Sequence, residues 1–246
     1  MPSSITNKTP GLIVGSGVVA RAFRPHLDAL AGVCIYAAGV SNSGCRDVRE
    51  FERERERLQT AISQLDTDRM LLYFSTCSIE DAASRDSAYV QHKRAMEQIV
   101  AQRSRYLILR LPQLAGRTPN PHTLLNYLHA RIVRSERFEV YRHAERNVID
   151  VDDVARIVLE LVRDGACAET INVACTNNVA ILAIVHGIED VVGHRALFDI
   201  IDAGAGYRID TARIHAALAR CGVSFPAGYL RRTLEKYYAP HDSTAA

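Results

Sequence analysis

The chain has 246 residues, 48% hydrophobic and 24% charged, with 30 Lys and Arg against 28 Asp and Glu. These proportions belong to a soluble globular protein and exclude disordered and fibrous classes. A formal net charge of +2 provides no basic face for nucleic acid, and no apolar run approaches the roughly 18 residues of a membrane span.

Residues 1–10 read as a flexible tail. The segment 11-GLIVGSGVVARAF-23 predicts a strand that breaks at glycines into a helix running to about Leu30. A second apolar run covers 33–41, and a long charged helix is expected from Asp47 to Leu65. On that helix Val48, Phe51, Arg55, Leu58, Ile62 and Leu65 recur at steps of three and four, a stripe suited to packing on a sheet or a partner helix. Within it, 52-ERERER-57 reads as a solvated face with i,i+3 and i,i+4 pairing. A buried strand over 70–79, a helix over 88–102 and a strand over 106–116, ended by Pro112 and Gly116, come next. Strands alternating with helices and apolar on both faces predict an α/β fold, a parallel sheet covered by helices on both sides. Residues 117–150 leave this rhythm with a Pro-rich turn, a helix and a short strand, as in a cap over one end of the sheet. A helix over 151–165 and a strand over 170–175 follow, then helical stretches near 178–193, 210–221 and 226–238.

The six cysteines, Cys34, Cys45, Cys77, Cys167, Cys175 and Cys221, form no CxxC pair and no zinc-like Cys/His spacing. No metal site is therefore expected, and free thiols in a reducing cytoplasm are.

Three segments carry chemistry. Gly15-Ser16-Gly17-Val18-Val19-Ala20 has the form G-x-G-x-x-A between a strand and a helix. Glycines there let the backbone approach a pyrophosphate, whose charge the helix amides stabilise. The same turn can also serve simply to join strand to helix; its place in the first βα unit favours the cofactor. Tyr89 and Lys93, four apart on one helix face, bring an ammonium near a phenol. A nearby cation favours the phenolate of a group whose ordinary pKa is about 10. The chain has three lysines, Lys8, Lys93 and Lys236, and otherwise uses arginine, so a lysine in mid-fold stands out. Finally, 75-STCS-78 ends a strand at the sheet edge where open α/β folds bind ligands; its hydroxyls suit a substrate oxygen, or a cap on the next turn.

Together these segments resemble the extended short-chain dehydrogenase/reductase superfamily, in particular the NAD-dependent epimerase/dehydratase family of nucleotide-sugar enzymes. GSGVVA stands at the family's glycine turn, 36-YAAG-39 resembles its alanine-rich strand end, YFSTCSI the strand with the catalytic Ser/Thr, and YVQHK the Y-x-x-x-K element. The segment 110-RLPQLAG-116 is similar to R-x-x-N-x-Y-G, and 146-RNVIDVDDVA-155 to R-D-F-I-x-V-D-D-V-A. The resemblance implies a Rossmann-like cofactor domain over 11–175, with 117–147 contributing to a substrate cap, a small C-terminal substrate lobe over 176–238, and a tail over 239–246. NAD or NADP would be held by Gly15, Ser16, Gly17, Val18, Val19, Ala37, Ala38, Gly39 and Pro112, together with Tyr89 and Lys93. By the same resemblance Tyr89 is the general acid/base, Lys93 lowers its pKa and binds the nicotinamide ribose, and Thr76 orients the sugar oxygen. Ser78, Gln113 and Arg146 would contact a nucleotide-diphosphate sugar, Arg146 through the diphosphate, which suits a bidentate guanidinium. Asp152 and Asp153 read as caps of the following helix. A homodimer through the helices near 47–65 and 88–102 is also implied.

The departures are specific. Gly17 and Tyr36 are too close in sequence for the two further strands and helices that family members place between them. With those strands goes the acidic residue that binds the adenine ribose about 20 positions on; Ala37 stands there. Arg46 is placed to meet a 2′-phosphate. Glu80 and Ala115 occupy positions of family tyrosines and Gln113 that of the asparagine, so a smaller, differently lined pocket is expected. The reading is an NAD(P)-dependent epimerase, dehydratase or reductase. The alternatives are a non-catalytic nucleotide-sugar or dinucleotide binding protein that has lost the adenine-binding half, and an acid/base enzyme acting on a keto-sugar without nicotinamide.

Overall fold

A computed structural model describes residues 9–240; most of both expected tails, residues 1–8 and 241–246, lies outside the described residues. The strands are β1 Leu12–Val14, β2 Val33–Tyr36, β3 Met70–Thr76, β4 Tyr106–Leu111, β5 Gln113–Ala115, β6 Phe138–Tyr141, β7 Glu145–Arg146, β8 Val148–Asp150, β9 Glu169–Asn172, β10 Val179–Ala180 and β11 Phe198–Ile201. The helices are α1 Val18–Phe23, α2 Val48–Ser63, α3 Ala88–Val100, α4 Leu124–Val133, α5 Val151–Arg163, α6 Ile181–Val192, α7 His215–Cys221 and α8 Tyr229–Tyr238.

Five strands form one parallel sheet in the order β1-β2-β3-β4-β9. Successive residues of β3 point to opposite faces: Leu71 and Tyr73 pack with Leu58 of α2 and Met96 of α3, while Leu72 and Phe74 pack with Phe23 of α1 and Ile157 of α5. The sheet is thus Rossmann-like, with helices on both faces. It is also shortened, because β1 pairs directly with β2 (Leu12↔Cys34, Val14↔Tyr36) and is an edge strand. On the α2 side, Leu12 and Val14 border an open cleft with Arg53, Arg57 and Ala61 of α2, where the helical layer stops.

Several local outcomes differ from expectation. The first helix ends at Phe23 and continues as 3₁₀ turns over Arg24–Leu30, because Pro25 has no N–H to extend the α ladder. Pro112 likewise ends pairing with β3, and β5 leaves the main sheet to pair in parallel with β8 (Gln113↔Val148). The N-cap of α5 is Asp150, which accepts the Asp152 amide at 2.9 Å; Asp152 and Asp153 instead tie down α8 through Lys236 and Tyr229. The buried face of α2 is Glu54, Leu58 and Ala61. Arg55 faces solvent and Val48 is 62% exposed, so the stripe is rotated from the predicted one and the ERERER run is not wholly solvated. A separate apolar core joins α4, α6 and α8 with β6 and β8, and β11, which the sequence pattern did not reveal, pairs with β6. Helix α7 packs on α5 and belongs to the sheet's core instead. Among the described residues no helix is long and apolar enough to cross a membrane.

The rotated face of α2 is open to a direct check. Leu58→Ala is expected to cost about 2–5 kcal/mol in denaturant unfolding, whereas Arg55→Ala should stay within about 0.5 kcal/mol. A cost for Arg55→Ala comparable to that of Leu58→Ala would restore the predicted stripe, which holds both residues.

Candidate functional site

A cavity of about 270 Å³ opens at the carboxyl ends of β1 to β4. It is the position where parallel α/β sheets bind ligands, since loops leaving those ends diverge to opposite faces. Gly17, Val18 and Val19 enter it from the glycine turn, Ala37 and Gly39 from the end of β2, Thr76 and Ser78 from the end of β3, Tyr89 and Lys93 from α3, and Pro112 and Gln113 from the β4–β5 break. Residues remote in sequence therefore share one space.

Each is held for a local reason. Thr76 caps the 3₁₀ turn over Cys77–Glu80, accepting the Ser78 amide at 3.1 Å. Ser87 caps α3 through the Val90 amide, which sets Tyr89 and Lys93 on the first turns and on one face. Gly15 has φ +123°, and a Cβ there would meet the Ala37 carbonyl oxygen at 2.4 Å; this glycine permits close packing of the turn on β2. Gly17 is different, since a Cβ there would meet nothing within 4 Å. Its missing side chain leaves room on the cavity side, as a ligand's approach to the backbone requires. With α1 only six residues long, individual amides rather than an extended helix dipole must supply any phosphate contact.

Behind Lys93 lies a residue that the sequence did not single out. Glu54 of α2 is 3% exposed. Its carboxylate accepts the Val40 amide at 2.6 Å, the Tyr73 hydroxyl at 2.7 Å and Lys93 Nζ at 3.1 and 3.3 Å, and lies 2.8 Å from His92 Nε2. Phe51 stacks on the His92 ring at 4.5 Å, and the Tyr36 hydroxyl donates to the Glu54 carbonyl. Gly39 leaves room for the pair where it stands: a Cβ there would lie 2.7 Å from Lys93 Nζ and 2.8 Å from Glu54 Oε1. Burial alone would raise the Glu54 pKa, but His92, the Lys93 charge, the Val40 amide and Tyr73 outweigh it and bring it to about 2. Burial draws Lys93 down from the ordinary lysine value, and the Glu54 carboxylate offsets part of that.

This arrangement corrects one expectation. Tyr89, 7% exposed, is not shifted down by Lys93. Burial pushes its phenol above the ordinary value, a hydrogen bond with Thr76 pulls the other way, and the Glu54 charge pushes it up again. Lys93 Nζ lies 5.9 Å from the Tyr89 ring centre, but its charge is committed to Glu54.

Other expected residues fall elsewhere. Gly15, Ser16 and Ala38 do not line the cavity. Arg146 is also outside it, its guanidinium donating to the Glu145 carbonyl. Glu80, at the tyrosine position, pairs with Arg110 of β4, which also holds Glu97 bidentately. Ser75 Oγ is buried without a partner on the cavity wall. A second, open cleft of about 810 Å³, lined by polar residues including Asn147, Asn178 and Arg208, adjoins the cavity through Tyr207, which hydrogen-bonds Ser78. Of these only Asn147 lay within a segment that the motif reading covered.

A family model described as the NAD dependent epimerase/dehydratase family matches residues 57–174. No curated protein sequence matches the chain. Solved structures with a similar fold include RMD from Pseudomonas aeruginosa complexed with NADPH, with 18% identity, a TM-score of 0.68, and coverage of 91% of this chain and 96% of that one. UDP-glucuronic acid 4-epimerase from Bacillus cereus, in complex with UDP-glucuronic acid and NAD, has 17% identity, a TM-score of 0.67, and coverage of 89% and 76%. UDP-glucose 4-epimerase from Thermus thermophilus, complexed with NAD, has 16% identity, a TM-score of 0.64, and coverage of 88% and 80%. At these identities the likeness establishes the fold, and relative to it this chain is shortened at the first strand.

The low Glu54 pKa fixes the sign of an acid effect. A carboxyl whose folded value is about 2 against an ordinary 4.5 stabilises the fold fully above pH 4.5, and that share is lost as pH falls through about 2. In denaturant unfolding, Glu54→Gln should flatten the stability loss over that window by one proton's slope. An unchanged slope would show that Glu54 is not ionised in the folded protein.

Proposed function

We propose that the chain is an NAD(P)-dependent enzyme acting on a nucleotide-diphosphate sugar, as an epimerase, dehydratase or reductase, with Tyr89 as the general acid/base. The observation that carries this reading is the convergence of Gly17, Thr76, Tyr89, Lys93 and Pro112 on one cavity. The nicotinamide half of a dinucleotide fits the residues present: Gly17 leaves open space, and the buried Ser75 hydroxyl lacks a partner that a ligand's polar group can supply. Two of the similar structures, one in complex with UDP-glucuronic acid and NAD and one with NADPH, support the same ligand classes.

A bound nicotinamide would supply hydride transfer at a sugar carbon. Tyr89, held as a neutral phenol, gives its proton to a sugar carbonyl oxygen or, once deprotonated, takes one from a hydroxyl. Thr76, hydrogen-bonded with Tyr89, orients that oxygen, and Lys93 offers its ammonium to a ribose hydroxyl at the cavity floor. Arg146 would need to turn from the Glu145 carbonyl to meet a diphosphate. The adjoining polar cleft, with Asn147, Asn178 and Arg208, is the space for the rest of such a substrate.

A second reading, a non-catalytic nucleotide-sugar or dinucleotide binding protein, is favoured by two observations: the sheet ends at β1, and Lys93 is neutralised rather than free to activate Tyr89.

Titration with NADH and NADPH, followed by nicotinamide fluorescence, tests the cofactor. Micromolar binding is expected, and none up to millimolar would overturn the oxidoreductase reading. Tyr89→Phe should then lower turnover of the accepted nucleotide sugar by about 10²–10⁴-fold while leaving cofactor binding intact. Unchanged turnover would remove Tyr89 from the chemistry.

A further inference from the structure

A dinucleotide held on a parallel sheet needs protein on both sides of the first strand, because each of its nucleotides lies on its own half of the fold and the two meet where the strand order reverses. This sheet provides one half. Its order, β1-β2-β3-β4-β9, never reverses, and among the described residues no strand lies beyond β1, where Leu12 is 43% exposed. The cavity matches that single half. None of its lining residues is Asp or Glu, so no carboxylate is there to meet the hydroxyls of an adenosine ribose. Its volume of about 270 Å³ falls just below the roughly 300–1,000 Å³ of small-molecule sites, space for one nucleotide unit rather than two. The open cleft beside β1 shares no residue with it and runs down α2 to Gln64 and Leu65, away from the carboxyl ends of the strands. For one nucleotide, by contrast, the cavity is furnished. Gly17 leaves open space, the Ser75 hydroxyl, in a residue 6% exposed, has no partner, and Thr76, Tyr89 and Lys93 line the same wall.

We propose that the site grips a single nucleotide unit, nicotinamide mononucleotide, and that the adenylyl half of NAD or NADP lies outside it in solvent and adds no affinity. This inference rests on the nicotinamide reading given under the proposed function and narrows it. Affinity is then set by the nicotinamide, its ribose and the adjoining phosphate, the parts that reach Ser75, Lys93 and Gly17. The additional phosphate of NADPH sits on the half that is not held. Arg46, the residue that the sequence offers for it, is exposed and does not line the cavity, so NADPH gains nothing over NADH.

The test is titration of the full chain with reduced nicotinamide mononucleotide, NADH and NADPH at one salt concentration, each followed by nicotinamide fluorescence. The three dissociation constants should agree within about threefold, and an advantage of about tenfold or more for either dinucleotide overturns the proposal. A control shows that the ligands share the cavity. Gly17 has φ −68° and open space at its Cβ position, so Gly17→Val puts a side chain into the cavity without backbone strain. It should weaken the mononucleotide and NADH by the same factor; a loss confined to NADH places the two ligands at different sites and overturns the proposal. Should Gly17→Val not fold, Ser75→Ala, which removes the unpartnered hydroxyl, makes the same comparison. Failure of this inference is separable from failure of the nicotinamide reading. A clear preference for the dinucleotides refutes the single-nucleotide site and leaves the enzyme standing, whereas no binding of any of the three up to millimolar refutes both.

Discussion

A carboxylate and an ammonium buried together, Glu54 and Lys93, join the two helices of one face to the centre of the sheet. Neither charge could be enclosed without the other: breaking a buried pair by removing one partner typically costs about 3–5 kcal/mol, because the survivor keeps its desolvation cost. The Tyr73 hydroxyl, the Val40 amide and His92 complete the hydrogen bonding that such a pair needs. Gly39 leaves the pair its present place, since a Cβ there would press on both charged ends and displace them. The same contact thus docks α2 on α3, fixes the loop after β2, and places Lys93 at the floor of the cavity.

The shortened sheet and the site are compatible because the fold separates them spatially. The turn after β1 closes one side of the cavity, but the rest of it is built at the ends of β2, β3 and β4, each with a strand on both sides, and by α3. What is lost lies beyond β1, whose three residues follow closely on Pro10. A short edge preceded by proline offers little template for further pairing. Under the proposed function the nicotinamide side of a dinucleotide would keep its surroundings, while the side past β1 would meet an open edge.

What could be read from the sequence was whatever depended on short spacing and strong periodicity. Tyr89 and Lys93 are a helical i,i+4 pair, Thr76 ends a seven-residue apolar strand, and Gly17 opens a helix after a strand; each is a local pattern, and the structure gathers them into one cavity. Glu54 was hidden because it sits in a run of alternating Glu and Arg, where nothing local distinguishes the one glutamate that faces inward; its burial follows from Lys93 and His92, some forty residues away. The orientation of Arg146 was illegible for a similar reason, since it depends on the β7–β10 pairing. The apolar pattern of α1 runs on past Pro25 although the α ladder cannot, and β11 is obscure locally because its partner β6 is distant in sequence.

The account stands on the claim that a sheet ending at β1 still holds a nicotinamide against Thr76, Tyr89 and Lys93. A crystal structure of the protein grown with saturating NADPH or NADH tests this most directly. The account predicts density for the nicotinamide ribose in the cavity, within hydrogen-bond distance of Tyr89 and Lys93, with the Glu54–Lys93 pair intact. A cavity without nucleotide under those conditions, or a nucleotide bound elsewhere on the surface, would contradict it.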